Sequence, residues 1–151
     1  MNDFDFFVGS WDSAQKRLKK LLAGCTEWDE FPAKSECVRL MGGLASLDEV
    51  SFPTKGWSGV TLRLFSPERE EWSLYWVSSR APAVMGAPQV GRFIDGVGDF
   101  FGDDTHDGQN IRVRFRWLNI TATTARWEQA FSVDNEATWE TNWIAEFTRR
   151  V

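Results

Sequence analysis

The sequence predicts an all-β chain closed into a single antiparallel up-and-down β-barrel of about ten strands, with little helix. Three observations carry that expectation. Turn residues recur at regular intervals, the runs between them alternate apolar and polar residues, and the aromatic content is too large to leave in water. Nine tryptophans and twelve phenylalanines stand against one tyrosine and one histidine in 151 residues. Rings in that number must be buried, line a cavity or sit at an interface, because dispersed on a surface they invite aggregation.

From Ala33 onward, glycine and Asp/Asn clusters fall at Gly42-Gly43, Pro53–Gly56, Ser66–Glu71, Asp95-Gly96, Gly102–Gly108, Asn119–Thr123 and Asp134–Ala137. The segments between them are rich in Val, Ile, Phe, Trp and Thr. They predict strands near 10–19, 27–41, 44–52, 58–65, 71–80, 88–94, 97–103, 110–118, 124–132 and 138–149. The first strand is contested, since residues 13–24 also read as an amphipathic helix: Ser13 is a plausible N-cap, Gly24 a C-terminal stop, and Ala14, Leu18, Leu21 and Leu22 recur at helical spacing. A strand is expected over at least the first half of that segment.

Requiring one apolar face fixes trial registers. Leu64 opposite Trp72, Leu62 opposite Leu74 and Val60 opposite Trp76 close a hairpin over SPERE, with Arg63 pointing outward. Phe115 opposite Trp127, with Val113 opposite Gln129, joins the next pair. Phe131 opposite Trp139, Gln129 beside Thr141 and Trp127 beside Trp143 join the last. The other face of these strands collects Arg112, Arg114, Arg116, Arg126, Glu128 and Glu140, with Arg114 across from Glu128. Such a face belongs in water, its cross-strand ion pairs each contributing about 1 kcal/mol or less. Closing the sheet removes its exposed edges.

The expected ligand-binding residues are therefore Trp76, Phe115, Trp127, Phe131, Trp139 and Trp143 as apolar walls, with Gln129 and Thr141 as a polar handle. Apolar walls supply affinity and a few polar groups fix orientation, and a barrel of about ten strands encloses more space than side chains usually fill. The expected occupant is a small apolar molecule.

Other chemistry is expected to be absent. Glu128, Glu140, Glu146 and Tyr75 fall on outward positions, leaving no catalytic residue to assign. His106, among Asp103, Asp104 and Asp107, reads as a solvated turn and gives no reason to expect a metal or haem. No cofactor is expected. A net charge of -5 argues against nucleic acid. No apolar run approaches the ~20 residues of a membrane span. Cys25 and Cys37 read as reduced thiols, and Asp3 and Asp5 stand where a secretory signal would be basic, so the expected location is cytoplasmic. The sequence is compatible with a homodimer.

Gly9-Ser10-Trp11, opening the first strand, resembles the G-x-W motif of the calycin superfamily, the lipocalin-like and fatty-acid-binding-protein-like barrels. The segments GWSGVTLRLFSPEREEWSLYWV and RWEQAFSVDNEATWETNWIAEFTR are similar to a largely uncharacterised bacterial branch of it. The resemblance implies a lipocalin-like barrel over residues 1–151 with a hydrophobic-ligand pocket. It also implies a structural plug, in which an arginine of the last strand packs across the indole of Trp11. Arg149 shares the inward parity of Trp143 and Phe147, so it takes that place with Gly9 and Trp11. Binding is the leading expectation. A cofactor-independent isomerase, cyclase or hydratase acting on an apolar molecule is the alternative, because catalysis by cavity shape leaves no motif.

Overall fold

The structure, a computed structural model, describes residues 3–151. Ten strands follow in order: β1 (Gly9–Leu18), β2 (Trp28–Leu40), β3 (Ala45–Phe52), β4 (Trp57–Ser66), β5 (Glu71–Ser78), β6 (Gln89–Ile94), β7 (Val97–His106), β8 (Gln109–Leu118), β9 (Thr124–Ser132) and β10 (Glu140–Arg149). Each pairs antiparallel with its sequence neighbour, and β1 pairs with β10 to close the barrel. The helical content is two 3-10 turns, Asp5–Phe7 and Met41–Gly43. Among the described residues no helix is long and apolar enough to cross a membrane.

The contested segment 13–18 is strand. Its inward residues are Ser13, Gln15 and Arg17, so the half of the alternation that should have been apolar is polar, and this is why it resembled a helix. The strand is fixed instead by ladders on both sides, to β2 and to β10.

All three trial registers require correction. In the β4–β5 hairpin the pairs are Phe65 with Trp72, Arg63 with Leu74 and Thr61 with Trp76, one residue away from the expected register. Because side chains alternate, the slip turns over the whole face of β4. Arg63 points inward and is 3% exposed, while Leu64 is on the outside. The expectation failed because β4 carries its aliphatic run, Val60, Leu62 and Leu64, on the outer face and Thr61 and Arg63 on the inner one. Its Leu62 lies in an outward row running Val38, Leu47, Leu62, Tyr75 across four strands.

In β8, in β9 and in β10 beyond its bulge the facing was right and the register was not. Phe115 pairs with Gln129, and Trp117 with Trp127. Between β9 and β10 the register shifts at a bulge between Thr141 and Trp143, so that Gln129 pairs with Trp143 and Trp127 with Ala145. A bulge adds one residue to one strand and re-aims its side chains. On the outer face Arg116, not Arg114, lies across from Glu128.

The interior divides into two aromatic clusters. At the end where β4 turns into β5, the chain before β1 crosses the barrel, and Phe4, Phe7, Trp11, Trp72, Phe100, Trp117 and Phe147 pack together. Toward the other end, Phe31, Val50, Phe52 and Trp143 pack with Trp57, Trp76 and Trp127. We call these the filled end and the mouth. The β5–β6 ladder has only three residue pairs, Trp72–Leu74 with Gln89–Gly91, so the loop 79–88 spans the wall beside the mouth.

Candidate functional site: a slot between two aromatic clusters

The filled end is held by backbone carbonyls gathered on one arginine. Trp11 is fully buried and its Nε1 donates to the Phe7 carbonyl at 2.9 Å. Across the ladder, the Arg149 guanidinium stands 4.3 Å from the Trp11 ring centroid. Its Nη1 donates to Val8 O at 2.6 Å, Nη2 to Phe6 O at 2.5 Å and Nε to Ala122 O at 3.0 Å. Gly9 is required twice over: its φ is +120°, and a Cβ there would sit 2.7 Å from Arg149 Nη1.

Between the clusters lies a cavity that opens toward the mouth. Its empty space is about 670 Å³ including the solvent at the opening, while the centre of a water molecule reaches only about 100 Å³ of it. The enclosed part is therefore a small slot between rings. Phe52, Trp76, Phe115, Trp127 and Trp143 supply apolar wall, and Phe7 and Trp117 the base. Trp76 owes its position to Gly59, where a Cβ would fall 2.0 Å from the ring.

The rings are locked by polar side chains. Trp143 Nε1 donates to Gln15 Oε1 at 2.7 Å, and Gln15 Nε2 donates to Ser13 Oγ at 2.9 Å. The polar inward face that disguised β1 is thus the brace for Trp143. On the same wall, Gln129, the ladder partner of Trp143, donates from Nε2 to Asn142 Oδ1 at 2.9 Å. Asn142 is the bulge residue, fully buried, and its Nδ2 has no partner.

Against the base sits an ion pair. Arg63 Nη2 lies 2.5 Å from Asp48 Oδ1, both side chains being almost wholly buried, and Arg63 Nη1 donates to Ser46 Oγ at 3.4 Å. The guanidinium also stands over the Phe4 ring at 4.9 Å, which ties the crossing segment to β4. Burial pushes the Asp48 carboxyl above its ordinary range, against the pull of Arg63. Arg63 Nε has no acceptor.

Of the sequence-predicted wall residues, the structure brings Trp76, Phe115, Trp127, Gln129 and Trp143 to the cavity. Three lie elsewhere. Phe131 is buried beside Ile111 and Val113, under Leu21 and Leu22 of the β1–β2 loop. Trp139 precedes β10 and lies outside the barrel, against Phe101 and 4.7 Å under the Arg114 guanidinium. Thr141 pairs with Ala130, and the bulge gives its expected place beside Gln129 to Asn142. Sequence reasoning missed Gln15, Asp48, Asn142 and Arg63. A serine-glutamine-arginine alternation on β1 was the one visible signal.

The outward groups are engaged in surface pairs. Arg116 holds Asp99 at 2.7 Å, and Arg126 holds Glu128 at 2.7 Å and Glu146 at 2.5 Å. Glu140, expected outward, is the exception: ahead of the bulge it pairs with the buried Phe131 and accepts from the Leu22 amide at 2.8 Å. Both cysteines are free thiols.

No family model and no curated protein matches the sequence. Among solved structures, the chain is similar to the S-type phycobiliprotein lyase CPES from Guillardia theta, with a TM-score of 0.59 and 14% identity over 98% of this chain and 90% of that one. At that identity the likeness is one of fold. It supports a lipocalin-like all-β barrel and gives no support to a bacterial branch.

Proposed function

We propose that the chain binds a small, largely apolar molecule in the slot between its two aromatic clusters. The observation that carries the proposal is unfilled space walled by tryptophans, Trp143 among them braced by Gln15, with polar groups on the walls and base. A solid core would fill that space, because interiors pack to crystal density and an empty lining forfeits contacts. The unpartnered Nε of Arg63, a residue of the cavity lining, is a donor that a guest or a water would satisfy. The phycobiliprotein lyase shares the scaffold at an identity that carries fold, not substrate. Gly9, Trp11 and Arg149 act, on the same reading, as the structural plug beneath the site.

Titration with N-phenyl-1-naphthylamine tests this. One guest per chain by native mass spectrometry, with quenching of intrinsic tryptophan fluorescence, supports it; no stoichiometric complex with this probe or any co-purified guest refutes it. The second reading, a cofactor-independent isomerase, cyclase or hydratase, gains one observation. Asp48 is a buried carboxyl on the cavity lining whose hold on its proton is strengthened by burial. A variant Asp48→Asn that keeps the guest and loses turnover is its test.

A further inference from the structure

We propose that the mouth of the barrel carries an anion clamp, Arg17 and Arg80, which selects guests bearing an acidic group at the end that stays outside the slot. It rests on the slot being the binding site and adds the class of guest.

The two arginines stand on neighbouring platforms. Arg17 continues the inward face of β1 beyond Gln15, and its guanidinium lies 4.7 Å from the centroid of Trp143, the ring that Gln15 braces. Arg80, in the β5–β6 loop, lies 3.8 Å from the centroid of Trp57, which packs on Phe52 at 4.4 Å. The Trp57 and Trp143 centroids are 6.5 Å apart. Two cations are therefore held beside one another over the rings that border the slot. Stacking occupies the face of a guanidinium and leaves its in-plane N–H donors free.

Neither guanidinium has a carboxylate partner among the described residues. Neighbouring cations do, since Lys19 holds Glu27 at 3.5 Å and Lys55 holds Asp29 at 2.5 Å. Arg17 Nε is buried with no acceptor. Burial weakens the hold of Arg17 on its proton, and repulsion by Arg80 adds to it. A partly buried cation beside a second one is costly, and an anion between Arg17 and the exposed Arg80 relieves both the repulsion and the missing acceptor. The chain as a whole is acidic, at -5, so the pairing is not a by-product of a basic protein.

N-phenyl-1-naphthylamine and 8-anilinonaphthalene-1-sulfonate share a ring system and differ by one sulfonate, so they separate the clamp from the slot. The variant is R17Q/R80Q, checked for cooperative unfolding; R80Q alone, in an exposed loop, serves if the double variant does not fold. We expect the sulfonate probe to lose affinity ten-fold or more in R17Q/R80Q and several-fold in R80Q, while the neutral probe changes less than two-fold. If both probes bind and neither responds, the clamp is overturned and the slot stands. Equal weakening of both probes makes the arginines mere rim supports and also overturns the clamp. If neither probe binds the wild-type chain, slot and clamp fall together.

Discussion

Arg149 and Arg63 occupy opposite sides of the same aromatic cluster, and they solve different problems. Arg149 collects three backbone carbonyls and covers an indole, tying the chain's first ordered turn to its last strand. Replacing Arg149 by Ala should cost about 1–3 kcal/mol in chemical denaturation, from lost charge-assisted hydrogen bonds and the cation–π contact. N-phenyl-1-naphthylamine affinity, measured well below the melting temperature, should stay within two-fold; a stability-neutral variant with weakened binding would move Arg149 from plug to binding site. Arg63 is held by Asp48 out of water. Asp48→Leu alone leaves a buried cation unpaired and should cost about 3–5 kcal/mol, whereas Asp48→Leu with Arg63→Leu should recover most of it. Equal losses in the single and double variants would mean that the pair is not coupled. The Trp11 and Arg149 positions were visible in the sequence because a motif and inward parity both marked them. Arg63 was not, because an arginine on a strand reads as outward unless its partner, fifteen residues away, is known to face the same interior.

At the level of the strand and hairpin, the sequence located all ten strands within a few residues, since turn residues and alternation are local properties. Facing was also legible on β5, β8 and β9, where only one side is apolar. Register was not. A shift by two residues preserves facing, so the alternation of β8 and β9 admits Phe115 against either Trp127 or Gln129. A bulge is invisible to alternation altogether, and this is how Asn142 displaced Thr141 from beside Gln129. The loop that leads into the bulge has its own fastening. Asp134 accepts from Ser132 Oγ at 2.8 Å, from the Thr138 amide at 2.9 Å and from Thr138 Oγ1 at 2.5 Å. These bonds hold its carboxyl down to about 2, the hydroxyl of Thr138 contributing most. A carboxyl lowered in the folded state contributes stability above its unfolded value and loses it as pH falls through the folded one. Amide exchange in residues 133–139 should therefore accelerate as pH drops from about 4 toward 2, beyond the intrinsic pH dependence of exchange. Asp134→Ala should show the faster exchange already at pH 6. Unchanged protection in that variant would remove Asp134 from the account of the loop.

On the scale of the whole molecule, closure and cavity come from one arrangement. The 3-10 turn Asp5–Phe7 and its flanking rings fill one end, β1 pairs with both β2 and β10, and space is left between the clusters. Composition foretold an aromatic interior, but not that the rings would divide into two groups with a slot between them, because that depends on which rings the crossing N-terminal segment brings to one end. The central claim is that a guest enters this slot from the mouth and stops above the filled end. The most direct measurement is a titration of the ¹⁵N-labelled protein with N-phenyl-1-naphthylamine, following the indole N–H signals of the nine tryptophans. We expect saturable shifts at Trp76, Trp127 and Trp143 with one probe per chain, and little change at Trp11 and Trp72, whose indoles donate to Phe7 O and Asp3 Oδ2 in the filled end. Shifts confined to Trp28 and Trp139, or no saturable shift at any indole, would contradict it.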